Sequence, residues 1–298
     1  MTSCPSPLHL GRQSHDKFNI SFQYGIIRGG GAVALGGGGR RRGCRGRLPL
    51  LAAVDFSLQW VLCGAAVVLR TEKFYDLAGS ATFILLAYLN YKWNSSGGPR
   101  QTIQTGCVCV WALRLGLFLF TRVVKSGGDR RFKEALQKPS LMFTFWTMQG
   151  AWVFLTLLPT LLGVRAPRQP PIGPRDYLGW GLWGLGFLIE VVADFQKTVF
   201  RNNTNNKDKF ISSGLWSLSR HPNYFGEILL WFGLYTSSSV CLSGWEHLAV
   251  LCPLLDYLLI TRVSGIPILE RHAALKWGRL PHYQQYVANT PLLVPFVG

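Results

Sequence analysis

An all-α fold, a polytopic transmembrane helix bundle of about seven spans, is the architecture the sequence predicts, and three observations carry it. Of 298 residues, 48% are hydrophobic and only 15% charged, with a mean hydropathy of +0.19. Apolar runs near the roughly 20 residues needed to cross about 30 Å of hydrocarbon recur along the chain. The basic residues crowd into the short segments between these runs, where membrane proteins keep their topological signals.

The runs cover residues 48–69, 74–91, 103–124, 141–164, 177–193, 224–242 and 247–269. Several contain Gly, Pro or an acidic residue, which a bilayer tolerates when neighbouring helices satisfy the freed backbone groups. Residues 1–47 differ in kind. Gly36 to Gly39 run into Arg40, Arg41 and Arg42, with Arg45 and Arg47 following, so the segment cannot bury a core and reads as a disordered basic arm. Residues 48–298 then form one transmembrane domain.

The net charge of +17 invites comparison with nucleic-acid binders, but no binding motif accompanies it and its placement is that of membrane loops. Arg122, Lys125, Arg130, Arg131, Lys133 and Lys138 follow the third run; Lys197, Arg201, Lys207, Lys209 and Arg220 follow the fifth; Arg262, Arg271, Lys276 and Arg279 lie in the tail. The alternate loops are poorer, with Lys92 and Arg100, then Arg165, Arg168 and Arg175. The expectation is a cytosolic C-terminus in the endoplasmic reticulum or another endomembrane. Seven spans would set the basic arm on the opposite side, unless the arm is absent from the working protein or the span count is off by one. The sequon Asn94-Ser95-Ser96 lies too near the bilayer for use. The seven scattered cysteines have no zinc-ligand spacing and imply neither a metal nor a disulfide framework.

Ionisable side chains at membrane depth are functional candidates because each costs a few kcal/mol unless paired or wetted. Asp55, Asp76, Arg114, Glu190, Asp194, Glu227 and Asp256 make the set. Taken singly, Asp55, Asp76 and Asp256 read as structural ion-pair members. Glu190 and Asp194, four apart, share a helix face, with Lys197 the cation expected near them. Pro222 suits the first turn of a helix, which places Arg220, His221 and free backbone N–H groups at an anion-attracting N-terminus. Tyr224 and Glu227, one turn on, point inward, able to polarise a ligand oxygen. The plainer reading is a capped helix start facing headgroups. Near the C-terminus, Pro267 kinks the last run and Glu270, Tyr283 and Tyr286 follow; tyrosines at an interface are ordinarily membrane anchors.

The stretches Gly128-Asp129-Arg130-Arg131-Phe132, Gly214-Leu215-Trp216-Ser217-Leu218-Ser219-Arg220-His221-Pro222-Asn223-Tyr224-Phe225-Gly226-Glu227 and Ser264-Gly265-Ile266-Pro267-Ile268-Leu269-Glu270 make the chain recognisable. With Gln149, Pro159, Glu190, Ala193, Asp194 and Gln196, they resemble a widespread membrane family of unknown function. That family is related to steroid 5α-reductases, sterol reductases and isoprenylcysteine carboxyl methyltransferases. The resemblance covers roughly residues 50–296 and implies a cofactor-binding half over about 177–298.

It implies NADPH as cofactor, with Asp194, Arg201, Lys209, Arg220, His221, Asn223 and Tyr224 binding it and Glu270, Tyr283 and Tyr286 closing the pocket. Glu227, Tyr224 and Glu190 become the catalytic candidates for reduction of a C=C bond in a lipid enone taken from the bilayer. The steroid enzymes' Glu and Tyr substrate pair has no clear counterpart here, so the cofactor fold is implied more firmly than a steroid. S-adenosylmethionine and methyl transfer at the same helix start are the alternative, which the basic Arg201, Lys207 and Lys209 disfavour. A third reading is a non-catalytic membrane scaffold.

Overall fold

A computed structural model describes residues 47–297, so the basic arm lies outside the described residues except for Arg47. The described residues form helices joined by turns and loops, without a strand. The helices are α1 (Arg47–Leu69), α2 (Tyr75–Asn94), α3 (Pro99–Ser126), α4 (Pro139–Arg165), α5 (Pro174–Asn202), α6 (Pro222–Ser238), α7 (Leu251–Leu258), α8 (Ile266–Trp277) and α9 (Pro281–Asn289). Proline opens α3, α4, α5, α6 and α9, where its missing N–H and fixed φ do no harm. All seven expected runs are helical. Five stretches are long and apolar enough to span a membrane: α1, α3, α4, α5 and the broken run Gly244–Trp277. α6, at 17 residues, is too short for that measure.

The core joins α1, α2, α3, α4 and α6 through Leu51, Phe83, Leu86, Trp111, Val153, Leu157, Leu230 and Trp231. Phe83 meets Trp111 and Trp152 edge-on at 5.1 Å, and Trp111 meets Trp231 at 4.8 Å. α5 and α6 form the closest pair, because glycines face glycines. A Cβ on Gly226 would lie 2.5 Å from the Gly186 carbonyl oxygen, and one on Gly233 would lie 2.5 Å from that of Gly179. Small residues at such a seam let backbones touch where no hydrophobic effect drives helices together. Gly226→Val is expected to destabilise the folded protein by about 1–3 kcal/mol or more, read as thermal unfolding in mild detergent.

At one end of the bundle the GDRRF stretch is an interlocked turn. Arg131 reaches Asp129 through Nε at 2.8 Å and Asp76 through Nη2 at 3.1 Å, while Glu72 accepts the Asp129 N–H at 2.9 Å. Phe132 packs on Tyr75 with centroids 4.7 Å apart. Burial pushes the Asp129 carboxyl up, but the Arg131 hydrogen bonds and charge outweigh this and hold it below the usual carboxylate range. Its stabilisation is therefore complete above the unfolded Asp pKa of about 3.9 and is lost as pH falls through the lower folded value. Asp129→Asn should flatten the stability profile below about pH 4; an unchanged profile would exclude this clamp.

At the opposite end, Arg100 and Asp176 pair through Nε–Oδ1 at 2.6 Å and Nη2–Oδ2 at 2.8 Å, both side chains buried. Arg165 meets Glu246 at 3.3 Å on the same side. The sequon Asn94 donates to the Asn90 carbonyl at 3.1 Å and side-chain oxygen at 2.9 Å.

Candidate functional site

The last run does not stop at its kink. α7 passes into a π turn over Leu259–Val263, the chain bends at Gly265, and α8 carries Glu270 back toward the start of α6. There the Glu270 carboxylate accepts from Arg220 Nη1 and, at 2.8 Å, from His221 Nε2. The Arg220 N–H donates to the Pro291 carbonyl at 2.9 Å, and Ser219 donates to that of Leu293 at 2.7 Å. The turn before Pro222 is thus built by three segments distant in sequence.

Arg114, on α3, bridges Glu190, at 2.5 Å, and Asp194. Trp111 Nε1 donates to the second Glu190 oxygen at 3.1 Å, and Asn223 Nδ2 donates to Asp194 at 3.1 Å. The cation holding the acid pair is therefore Arg114. Lys197, expected in that role, sits over the Trp216 ring at 4.4 Å. Arg114 had a sequence signal, as an arginine inside an apolar run. Trp111 had none, because one more tryptophan in such a run is unremarkable.

The Asn223 bond joins the acids to the cationic turn, and Tyr224 stacks on His221 with centroids 5.8 Å apart. Glu227 lies one turn further along α6, with the charged groups Glu190, Asp194, Asp256 and Arg114 in its surroundings. Asp256 itself accepts from Trp152 at 3.1 Å and Thr156 at 2.8 Å. Tyr283 and Tyr286 are not lipid anchors. Tyr283 is buried against Phe210, and Tyr286 donates to the Trp216 carbonyl at 2.6 Å, docking the tail on the α5–α6 connection. Arg201, in the last turn of α5, and Lys209, on that connection, are exposed and make no ion pair among the described residues.

Three buried polar atoms at this helix start lack a partner: Arg220 Nε, His221 Nδ1 and Asn223 Oδ1. Burial lowers the His221 pKa more than Glu270 raises it, which favours the neutral ring. A carboxylate only accepts, so Nε2 carries the proton and Nδ1 is a bare acceptor. Among the described residues no group of three or more His, Cys, Asp or Glu is placed to hold a metal ion.

The chain is similar, at 30% identity over 36% of its length and 26% of the relative's, to a probable 7-dehydrocholesterol reductase of Acanthamoeba polyphaga mimivirus. It is 27% identical, over 45% of its length and 55% of the relative's, to the probable O-methyltransferase ustE of Ustilaginoidea virens. It is 26% identical, over 42% of each chain, to 3-oxo-5-alpha-steroid 4-dehydrogenase 1 of Macaca fascicularis. These matches span between about a quarter and just over half of each relative. No solved structure matches. Named relatives of both reductase and methyltransferase type agree with the superfamily that the motifs resemble, and over residues 62–290 the chain belongs to the family described as protein of unknown function, DUF1295.

Proposed function

We propose that the protein is a membrane-embedded, NADPH-dependent reductase of a C=C bond in a lipid enone. The observation that carries this reading is the trio of unpartnered buried atoms on Arg220, His221 and Asn223 at the N-terminus of α6. One donor and two acceptors suit the phosphate and hydroxyl groups of a nucleotide, and a helix N-terminus adds its own affinity for anions. The exposed Arg201 and Lys209, at and after the end of α5, would supply further charge for phosphate. Relatives named as a sterol reductase and a steroid dehydrogenase support the same class.

When bound, the cofactor supplies the hydride. In this reading Arg220, His221 and Asn223 orient it, Glu270 holds the first two in place, and Tyr283 and Tyr286 close the tail over the site. Glu227, whose side chain makes no hydrogen bond among the described residues, holds the proton that polarises the substrate carbonyl, with Tyr224 beside it. Both Glu190 oxygens are engaged by Arg114 and Trp111, which makes Glu190 the anchor of this arrangement.

The C-terminus belongs on the cytosolic side. Arg100 and Arg165, at the opposite end, are neutralised by Asp176 and Glu246, while Arg201 and Lys209 at this end are exposed and unpaired among the described residues. We place the protein in the endoplasmic reticulum or another endomembrane, where a lipid substrate can meet a cytosolic cofactor.

The test is thermal stability of the detergent-purified protein with NADPH, NADH or S-adenosylmethionine. A ligand at 100 times its Kd adds about 2.7 kcal/mol. NADPH should stabilise the wild type, and Arg220→Ala should abolish the shift. Stabilisation by S-adenosylmethionine alone would favour methyl transfer, the reading supported by the O-methyltransferase relative. No shift with any ligand would overturn both.

A further inference from the structure

An opening lies on the other side of α5. At about 100° per residue, Glu190, Asp194, Lys197 and Arg201 share one face of that helix, and Phe195, Val199 and Asn203 lie nearly opposite. Against that opposite face the loop after α5 leaves a cleft of about 360 Å³, whose lining includes Phe195, Gln196, Val199, Asn203 and Asn206. This is within the size range of small-molecule sites.

The cleft's chemistry is graded along the helix. Phe195 and Val199 are 67% and 53% exposed in a stretch apolar enough to span a membrane, so they continue the lipid-facing surface. Toward the helix end the lining turns to amides. Each amide is half used: Gln196 accepts the Leu215 N–H at 3.0 Å, Asn203 accepts that of Asn205 at 3.0 Å, and Asn206 donates to the Phe200 carbonyl at 3.1 Å. Two amide NH2 groups and one amide oxygen are left for a ligand. No lining residue carries a charge.

We propose that this cleft binds a neutral amphiphile of the diacylglycerol class, its acyl chain along Phe195 and Val199 and its hydroxyl and ester oxygens on the Gln196, Asn203 and Asn206 amides. The lining itself offers an anionic headgroup no cation, and a wholly apolar molecule leaves the amides unmatched. The cleft opens on the face of α5 opposite Glu190 and Asp194.

The test uses the full chain in nanodiscs with a diazirine-bearing diacylglycerol and peptide mapping of the adducts. Adducts should concentrate on residues 195–214 and be competed by unlabelled diacylglycerol, not by phosphatidylglycerol. Val199→Trp, which fills the cleft, should reduce labelling about tenfold, as a loss of about 1.4 kcal/mol in binding would. Val192→Trp, two turns away on the same exposed stripe, should not. Asn203→Asp, which brings an anion to the amides, should also reduce labelling and serves if Val199→Trp fails to fold. Adducts spread evenly over the lipid-facing helices, equal competition by phosphatidylglycerol, or full labelling of Asn203→Asp would each overturn the proposal.

Discussion

Arg114→Ala is expected to destabilise the protein by about 3–5 kcal/mol, because it strands Glu190 and Asp194 in a buried site without their cation. The two acid side chains are almost fully buried and share a single guanidinium. Arg114→Lys should recover only part of the loss, since an ammonium lacks the fork that reaches two carboxylates at once. Combining Arg114→Ala with Glu190→Gln and Asp194→Asn should recover more, because no unpaired charge then remains. Thermal unfolding in mild detergent decides it. A loss under about 1 kcal/mol for Arg114→Ala would mean that water already screens the acids. If the site is the proposed nucleotide pocket, the single substitution also weakens NADPH binding through Asp194 and its bond to Asn223.

Arg100→Ala should be comparably severe, by about 3–5 kcal/mol, yet silent toward nucleotide. The Arg100 guanidinium is satisfied by Asp176, by the carbonyls of Pro170, at 2.9 Å, and Pro171, at 3.1 Å, and by Gln169 at 3.4 Å. Asp176 in turn accepts from Ser237 at 3.1 Å and the Gly173 N–H at 3.0 Å. Removing either partner leaves a buried charge and several orphaned groups. Replacing both, as in Arg100→Met with Asp176→Leu, should recover much of the loss, since apolar residues need no partners. The ligand-induced shift in stability should survive in whatever fraction folds, because the pair sits at the end of the bundle away from Arg220. A nucleotide shift abolished by Arg100→Ala would show that the two ends are coupled.

The helical class, the apolar runs and the proline starts were legible because they are local. Hydrophobicity is summed over neighbours in the chain, and proline at a first helical turn acts on its own backbone. The N-terminus of α6 was legible for the same reason, with Arg220, His221, Asn223, Tyr224 and Glu227 falling within two turns. The partners were another matter. Glu190 and Asp194 share a face by spacing alone, yet their cation comes from Arg114, 76 residues from Glu190. The nearer Lys197 turns to an aromatic ring instead. Residue type and position alone did not separate the tail tyrosines from ordinary lipid anchors, whereas Tyr286 meets the Trp216 carbonyl, 70 residues away.

Order along the chain establishes which segments are helices and which faces are polar. Which cation meets which carboxylate depends on how far helices approach and rotate, and in α5 and α6 that approach is set by opposed glycines whose missing side chains exert their effect only across the seam. Glu270 reaches Arg220 and His221 for a similar reason: the π turn and the bend at Gly265 redirect α8, a change of course that no periodicity in the sequence announces.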